Sequence, residues 1–250
     1  MKHTDTAREE RSAKQASAAE RRHTPPLSRR LRGCVELMAP CRTVADVGTD
    51  HGYLPIYLLQ RGLCRHVIAS DLREKPLSIA RQNAEKYGTA DQTTFLLSDG
   101  LEQLTPGSFE TLVCAGMGGD CIAGILDAAP WLQSVGCTLI LQPQSSGNDL
   151  RRYLGQNGYR IEREILIKDG RFLYAAMRVR FGGGAPLSPG QQFLSPALQT
   201  EHSPYEAEYR ARLLRSLEQT VAGISCGVTE EDRRKMEYYA SALEELKIDN

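Results

Sequence analysis

Asp46, Gly48, Thr49, Asp50, His51 and Gly52 fall within seven residues, after the apolar run 43–47 and before a helical pattern that starts at Tyr53. A glycine at 48 permits a turn and brings backbone close to a ligand. A glycine at 52 lets the following helix pack close to the strand, and the first helical N–H groups then face whatever binds. The spacing Asp-x-Gly-x-x-x-Gly differs from the Gly-x-Gly-x-x-Gly of dinucleotide sites. A carboxylate at the end of the strand repels a pyrophosphate and attracts a cation. S-adenosylmethionine, with a sulfonium and an ammonium, is a ligand of that kind; an ordinary strand-turn-helix corner is the alternative.

Further acids recur where strands end. Asp71 closes the next apolar run, where this architecture presents a carboxylate to two ribose hydroxyls, or where an acid caps a helix. Asp99-Gly100 closes the third: the acid can accept from an adenine amino group while Gly100 leaves room for the ring, though Asp-Gly is also a common turn. Ala115-Gly-Met-Gly-Gly119 ends the fourth, and its glycine density permits close contact with a ligand or nucleobase.

The elements that must hold these residues alternate. Strands are expected at 43–47, 66–70, 93–98, 111–115 and 137–142, with helices at 53–61, 76–87, 119–129 and 147–157 between them. Two final strands, near 160–168 and 171–181, are joined by Lys168-Asp169-Gly170-Arg171, a connection too short for anything but an antiparallel pair. The fold class is therefore α/β, a Rossmann-like doubly wound sheet with an antiparallel final hairpin. Ser28 caps a short helix carrying Leu31, Cys34, Val35 and Met38 on one face, which should lie on the sheet beside the ligand crevice. Tyr205, Tyr209, Leu213 and Leu217, then Met236, Tyr239, Leu243 and Leu246 after the box Thr229–Asp232, imply a C-terminal antiparallel, coiled-coil-like helical pair. Four regions follow: a mobile basic leader at 1–26, a ligand-binding domain at 27–184, a Gly/Pro/Ser-rich linker at 185–204 and the helical pair at 205–250.

The chain has 250 residues and zero net charge, so binding to a polyanion must come from local patches. Residues 1–33 carry nine Lys/Arg against four Asp/Glu, and 151–180 carry eight against three; residues 185–250 carry seven against eleven. Seven cysteines without Cys-x-x-Cys spacing read as reduced thiols, mostly buried. No metal-ligand spacing and no apolar run of membrane length occurs, so a metal-free, cytoplasmic protein without a membrane partner is expected.

Together, 46–55 (Asp-Val-Gly-Thr-Asp-His-Gly-Tyr-Leu-Pro), Ser70-Asp71, Ser98-Asp-Gly-Leu101, Ala115-Gly-Met-Gly-Gly119 and Leu141-Gln-Pro-Gln144 resemble the TrmK family. These are bacterial class I methyltransferases that use S-adenosylmethionine to modify N1 of adenine 22 in the tRNA D-arm. The resemblance runs from about Leu27 to the C-terminus. It implies a cofactor site made of Asp46, Gly48, Thr49, Gly52, Asp71, Leu72, Asp99, Gly100, Ala115, Gly116, Met117 and Gly118, and a catalytic group of Asp50, His51 and Gln144. Two departures stand out: Gln144 replaces the family's usual Asn, and the leader is unusually long.

The reaction so implied needs no general base, because adenine N1 offers an in-plane lone pair; positioning dominates. Asp50 would accept from the adenine amino group and favour the charge that develops on the ring. His51 orients Asp50, stacks on the base, or serves only the loop. Tyr53 stacks on a flipped base or belongs to the core. Drawing an adenine out of a folded tRNA arm costs on the order of a few kcal/mol. Arg151, Arg152, Arg160, Arg163, Lys168 and Arg171 are the expected phosphate contacts that offset it, unless they form a solvated face. The acidic helical pair would hold the D-arm by shape or serve a protein contact. A monomer acting on tRNA is expected. A methyltransferase for another RNA, a protein or a small molecule, and a non-catalytic RNA-binding scaffold, are the competing readings.

Overall fold

A computed structural model describes residues 24–224 and 229–248. Seven strands form one sheet in the order β3-β2-β1-β4-β5-β7-β6. They are β1 (Thr43–Val47), β2 (His66–Asp71), β3 (Thr93–Leu97), β4 (Thr111–Gly118), β5 (Thr138–Ser145), β6 (Tyr159–Asp169) and β7 (Phe172–Phe181). The first five are parallel, and β7 inserts antiparallel between β5 and β6. Strand succession reverses between β1 and β4, so the crevice opens at their carboxyl ends.

Alternation along the central strands fills both faces. Ala45, Val47, Leu112, Cys114, Leu139 and Leu141 join one core with α4 (Gly119–Asp127) and α6 (Gly147–Gln156). Val44, Val113 and Ile140 join another with α1 (Arg29–Glu36) and α2 (Tyr53–Gln60). Burial on both faces explains why these strands read as continuous apolar runs. Helix α3 (Glu74–Lys86) covers β2 and β3, and α5 (Leu132–Val135) leads into β5. Ser28 caps α1 through the Leu31 amide at 3.3 Å, as its sequence implies. Helix α1 lies on β6 so closely that a Cβ at Gly33 would stand 2.2 Å from Ile167.

Residues 185–204 are not a free linker. They hold two short helices, α7 (Pro189–Phe193) and α8 (Pro196–Thr200), with Phe193, Leu194 and Leu198 buried. The dipeptides Ser188-Pro189 and Ser195-Pro196 are helix starts: each serine hydroxyl caps its helix and each proline occupies the first turn, where no N–H is needed. Helices α9 (Glu206–Ile224) and α10 (Glu230–Ile248) pack antiparallel, and Leu217, Ala242 and Leu246 form a third core with Phe193, Leu198 and Leu166 of β6. The leader expected at 1–26 lies outside the described residues except for its last three.

Buried Arg151 ties this assembly to the sheet. It donates Nε to both Glu164 carboxylate oxygens, at 3.0 and 3.2 Å, and Nη1 to the Gln192 carbonyl at 2.9 Å. Ser195 completes Glu164 by donating its hydroxyl. Burial opposes the charge on Arg151, but Glu164, followed by Tyr209, more than compensates and raises its pKa above the ordinary arginine value. Arg151 is thus no phosphate contact. Arg163 is paired in fork geometry with Glu201 at 2.8 Å, Lys168 with Glu208 at 2.7 Å, Arg152 with Asp149 at 2.6 Å and Arg160 with Glu162 at 3.2 Å. Of the six cations expected to meet phosphate, only Arg171 has no acidic partner among the described residues.

Candidate active site

A cleft of about 570 Å³ opens at the carboxyl ends of β1, β2 and β4. Asp46, Gly48, Thr49, Asp71, Leu72, Asp99, Gly100, Ala115, Gly116 and Met117 line it, together with Asp50, His51 and Gln144. Gly52 and Gly118 stand just outside. Asp46 and Asp71 are buried at the cleft floor, whereas Leu72 is 62% exposed at its rim. Burial raises the Asp46 carboxyl from 3.8 to about 6; the neighbouring Thr49 opposes the shift and the Asp71 charge adds to it. Asp71 is oriented by two backbone amides, Arg73 at 2.9 Å and Asp50 at 3.4 Å.

Several glycines have reasons other than those the sequence suggests. Gly48, at φ +75°, turns the chain as its sequence implies, and the turn is fixed by its amide and that of Thr49, which both donate to the Ser70 carbonyl, at 2.8 and 2.9 Å. A Cβ at Gly52 would stand 3.0 Å from Ala80 of α3, so this glycine admits the neighbouring helix and not its own strand. The space beside Gly100 is taken by Ile125, at 3.2 Å from a built Cβ. The Ala-Gly-Met-Gly-Gly run ends β4, as its sequence implies, and does so irregularly: the register against β5 slips at Gly116, whose φ is +81°, which marks a β-bulge. Gly119 starts α4 with no room for a side chain, since a Cβ there would lie 2.2 Å from the Ser146 carbonyl oxygen.

At the cleft mouth, Asp50 sits in the left-handed region at φ +50°, 64% of its side chain exposed, with Oδ2 3.6 Å from His51 Nε2. The His51 ring stacks near Tyr53, with centroids 5.8 Å apart, and Asn83 of α3 holds the His51 carbonyl at 2.9 Å. Gln144 projects from the end of β5 beside Gly116, its Nε2 3.3 Å from where a Cβ would be. Cys121, one of the thiols expected to be mostly buried, is exposed and lines the cleft. Cys226 lies outside the described residues.

A family model described as a methyltransferase domain matches residues 27–177, well over half of the chain. The chain belongs to the methyltransferase-domain family. Within it, this methyltransferase is 28% identical over 228 residues to the tRNA (adenine(22)-N(1))-methyltransferase of Bacillus subtilis, covering 88% of this chain and 95% of the relative. The crystal structure of the B. subtilis M1A22 tRNA methyltransferase TrmK superposes with a TM-score of 0.77 at 28% identity, over 89% of this chain and 97% of that one. A Streptococcus pneumoniae protein solved in complex with S-adenosyl-L-methionine aligns with a TM-score of 0.73 at 28% identity, over 87% of this chain and all of that one. At 89% of this chain, the likeness to TrmK extends beyond the methyltransferase domain at 27–177.

Arg30 of this methyltransferase escaped the sequence reading. It reaches the cleft from α1, with Nη1 3.5 Å from Gln142 Oε1 and its guanidinium 5.2 Å from the Tyr174 ring centroid. Its position on the polar side of an amphipathic helix was readable, but nothing in the spacing shows that this side turns toward β7. Asn83 was equally hidden, 32 residues from the loop it anchors.

Proposed function

We propose that this methyltransferase transfers methyl from S-adenosylmethionine to N1 of adenine 22 in the tRNA D-arm, acting in the cytoplasm as a monomer. The likeness to the B. subtilis enzyme over nearly nine-tenths of this chain and 95% of the relative is the observation that carries this reading. Among the described residues no helix is long and apolar enough to cross a membrane, and no three potential ligands cluster as a metal site.

The cleft fits the cofactor chemically. Asp46 offers a buried carboxylate to a cationic amino acid moiety, Asp71 is oriented for ribose hydroxyls, and Asp99 and Leu72 border the place expected for the adenine ring. When bound, the cofactor supplies an electrophilic methyl on a sulfonium. Asp50, His51 and Gln144 are assigned to the substrate adenine at the cleft mouth, where Asp50 stabilises positive charge on the ring. Residues 27–184 are taken as the catalytic domain, 185–204 as a packed bridge and 205–250 as the helical pair, which holds the D-arm by shape or makes a protein contact.

Transfer of labelled methyl to two transcripts, one with adenine and one with guanine at position 22, tests the activity. N1-methyladenosine should form on the first only. Equal labelling of both transcripts, or labelling that survives RNase treatment of the substrate, defeats the assignment.

Asp46 adds a pH dependence. Its folded-state pKa lies above its unfolded value, so the ligand-free protein loses stability as pH rises from about 4 to about 6. A cationic ligand selects the ionised carboxylate, so cofactor affinity should be nearly flat above pH 7. It should weaken by roughly tenfold at pH 5. Calorimetric titration across that range checks this, and Asp46→Asn should weaken binding and flatten the profile. A wild-type profile without slope between pH 5 and 7 would mean that the carboxylate does not meet the cofactor.

A further inference from the structure

A continuous file of cations and aromatic rings leaves the cleft along the β6–β7 hairpin. Arg30 lines the cleft and lies over Tyr174, at 5.2 Å from its centroid. Tyr174 lies 6.1 Å from Phe172, ring centroid to centroid. Phe172 in turn carries Arg171 over its face, at 4.9 Å. Because β7 runs antiparallel to β5, the hairpin tip at 169–172 stands at the edge of the sheet where β4 and β5 end, which is the cleft side. Phe172 is 49% exposed, a large apolar ring presented to solvent at the tip.

Charge pairing separates this file from the other cations of residues 151–180. Arg151, Arg152, Arg160, Arg163 and Lys168 all have carboxylate partners, whereas among the described residues none lies within ion-pair distance of Arg30 or Arg171. Unpaired guanidinium groups at either end of two aromatic faces provide what a single-stranded nucleic acid needs: cations for its phosphates and flat surfaces for its unstacked bases. A protein partner would more commonly meet a contiguous apolar face, and only Phe172 of the four is strongly exposed and apolar.

Resting on the proposed tRNA substrate, we propose that this file is the track along which the RNA strand flanking the target adenine is held. In it Phe172 stacks on a flanking base, Arg171 neutralises a phosphate at the hairpin tip, and Arg30, steadied by Tyr174 and Gln142, neutralises the phosphate nearest the flipped nucleotide. The track offsets the cost of extruding the base by binding its neighbours.

Anisotropy of a labelled adenine-22 tRNA transcript, measured with the full chain between about 50 and 200 mM salt, tests the assignment. Phe172→Ala should weaken tRNA binding by roughly tenfold and leave the salt dependence unchanged, as expected for lost stacking. Arg171→Ala should lower the slope of log K against log salt by about one. Arg30→Ala should do the same and also reduce turnover at saturating tRNA. Phe172→Ala and Arg171→Ala, both outside the cleft lining, should bind S-adenosylmethionine as the wild type does, which shows that the fold is intact. Arg65→Ala, at the amino end of β2 and exposed, is the charge-matched control and should match the wild type. If the wild type binds and methylates tRNA while Phe172→Ala and Arg171→Ala stay within about twofold of it, the RNA runs elsewhere and the track is wrong. If the wild type neither binds nor methylates tRNA, the proposed function falls and the track with it.

Discussion

Arg151→Met is expected to destabilise the protein by about 3–5 kcal/mol, a large share of the 5–15 kcal/mol that separates a typical folded domain from its unfolded chain. The reason is the carboxylate left behind. Glu164 is fully buried and its remaining donor is the Ser195 hydroxyl, so losing the guanidinium strands a charge in an apolar interior. The Gln192 carbonyl loses its donor as well. Arg151→Met combined with Glu164→Leu removes the charge with its partner and should regain most of the loss, because two apolar side chains of similar volume can fill the space. Urea midpoints for the wild type, the single and the double variant decide the matter. A single variant within about 1 kcal/mol of wild type, or a double variant no better than the single, would show that the pair does not hold the bridge helices to the sheet.

The same network shows what a sequence hides. The order of strands and helices was legible because each parallel strand is buried on both faces and each helix has a periodic apolar stripe, signals that a single chain carries locally. The antiparallel ending was legible because four residues between two apolar runs admit no crossover. The bridge at 185–204 was misread because serine and proline mark loops as readily as helix starts; two Ser-Pro pairs seven residues apart were the available cue. Arg151 was misread because the helical pattern of α6 does not reveal that Glu164, 13 residues away on another element, will sit opposite it. Charge counts located a basic region, yet its cations are mostly paired, and only the three-dimensional structure separates Arg171 from Arg163.

The candidate site divides along the same line. The cleft acids were readable because strand ends are readable, and topology then converges them. The glycines were recognised, but their partners were not: Met117, whose Cε stands 2.4 Å from where a Cβ on Gly48 would be, comes from a strand adjacent only after folding. The bulge at Gly116 likewise depends on the register between β4 and β5, which no local pattern encodes.

Asp50→Asn is expected to lower methyl transfer by about 10²- to 10³-fold, the usual effect of losing one group that stabilises charge developing in a transition state. Asparagine is the informative substitution. Asp50 occupies the left-handed region at φ +50°, which asparagine adopts more readily than alanine, so Asp50→Ala mixes loss of the carboxylate with backbone strain on the order of 1 kcal/mol. The distinction matters because the Asp50 amide donates to Asp71, and a strained loop would disturb the ribose carboxylate too. If the carboxylate serves the adenine, Asp50→Asn loses turnover while S-adenosylmethionine binds as before, and Asp50→Ala loses turnover with some loss of cofactor affinity. If instead the residue only shapes the loop, Asp50→Asn keeps near-normal turnover and Asp50→Ala alone fails. Single-turnover transfer to saturating tRNA, paired with calorimetric cofactor titration, separates the two outcomes, and full activity of Asp50→Asn would remove Asp50 from the chemistry.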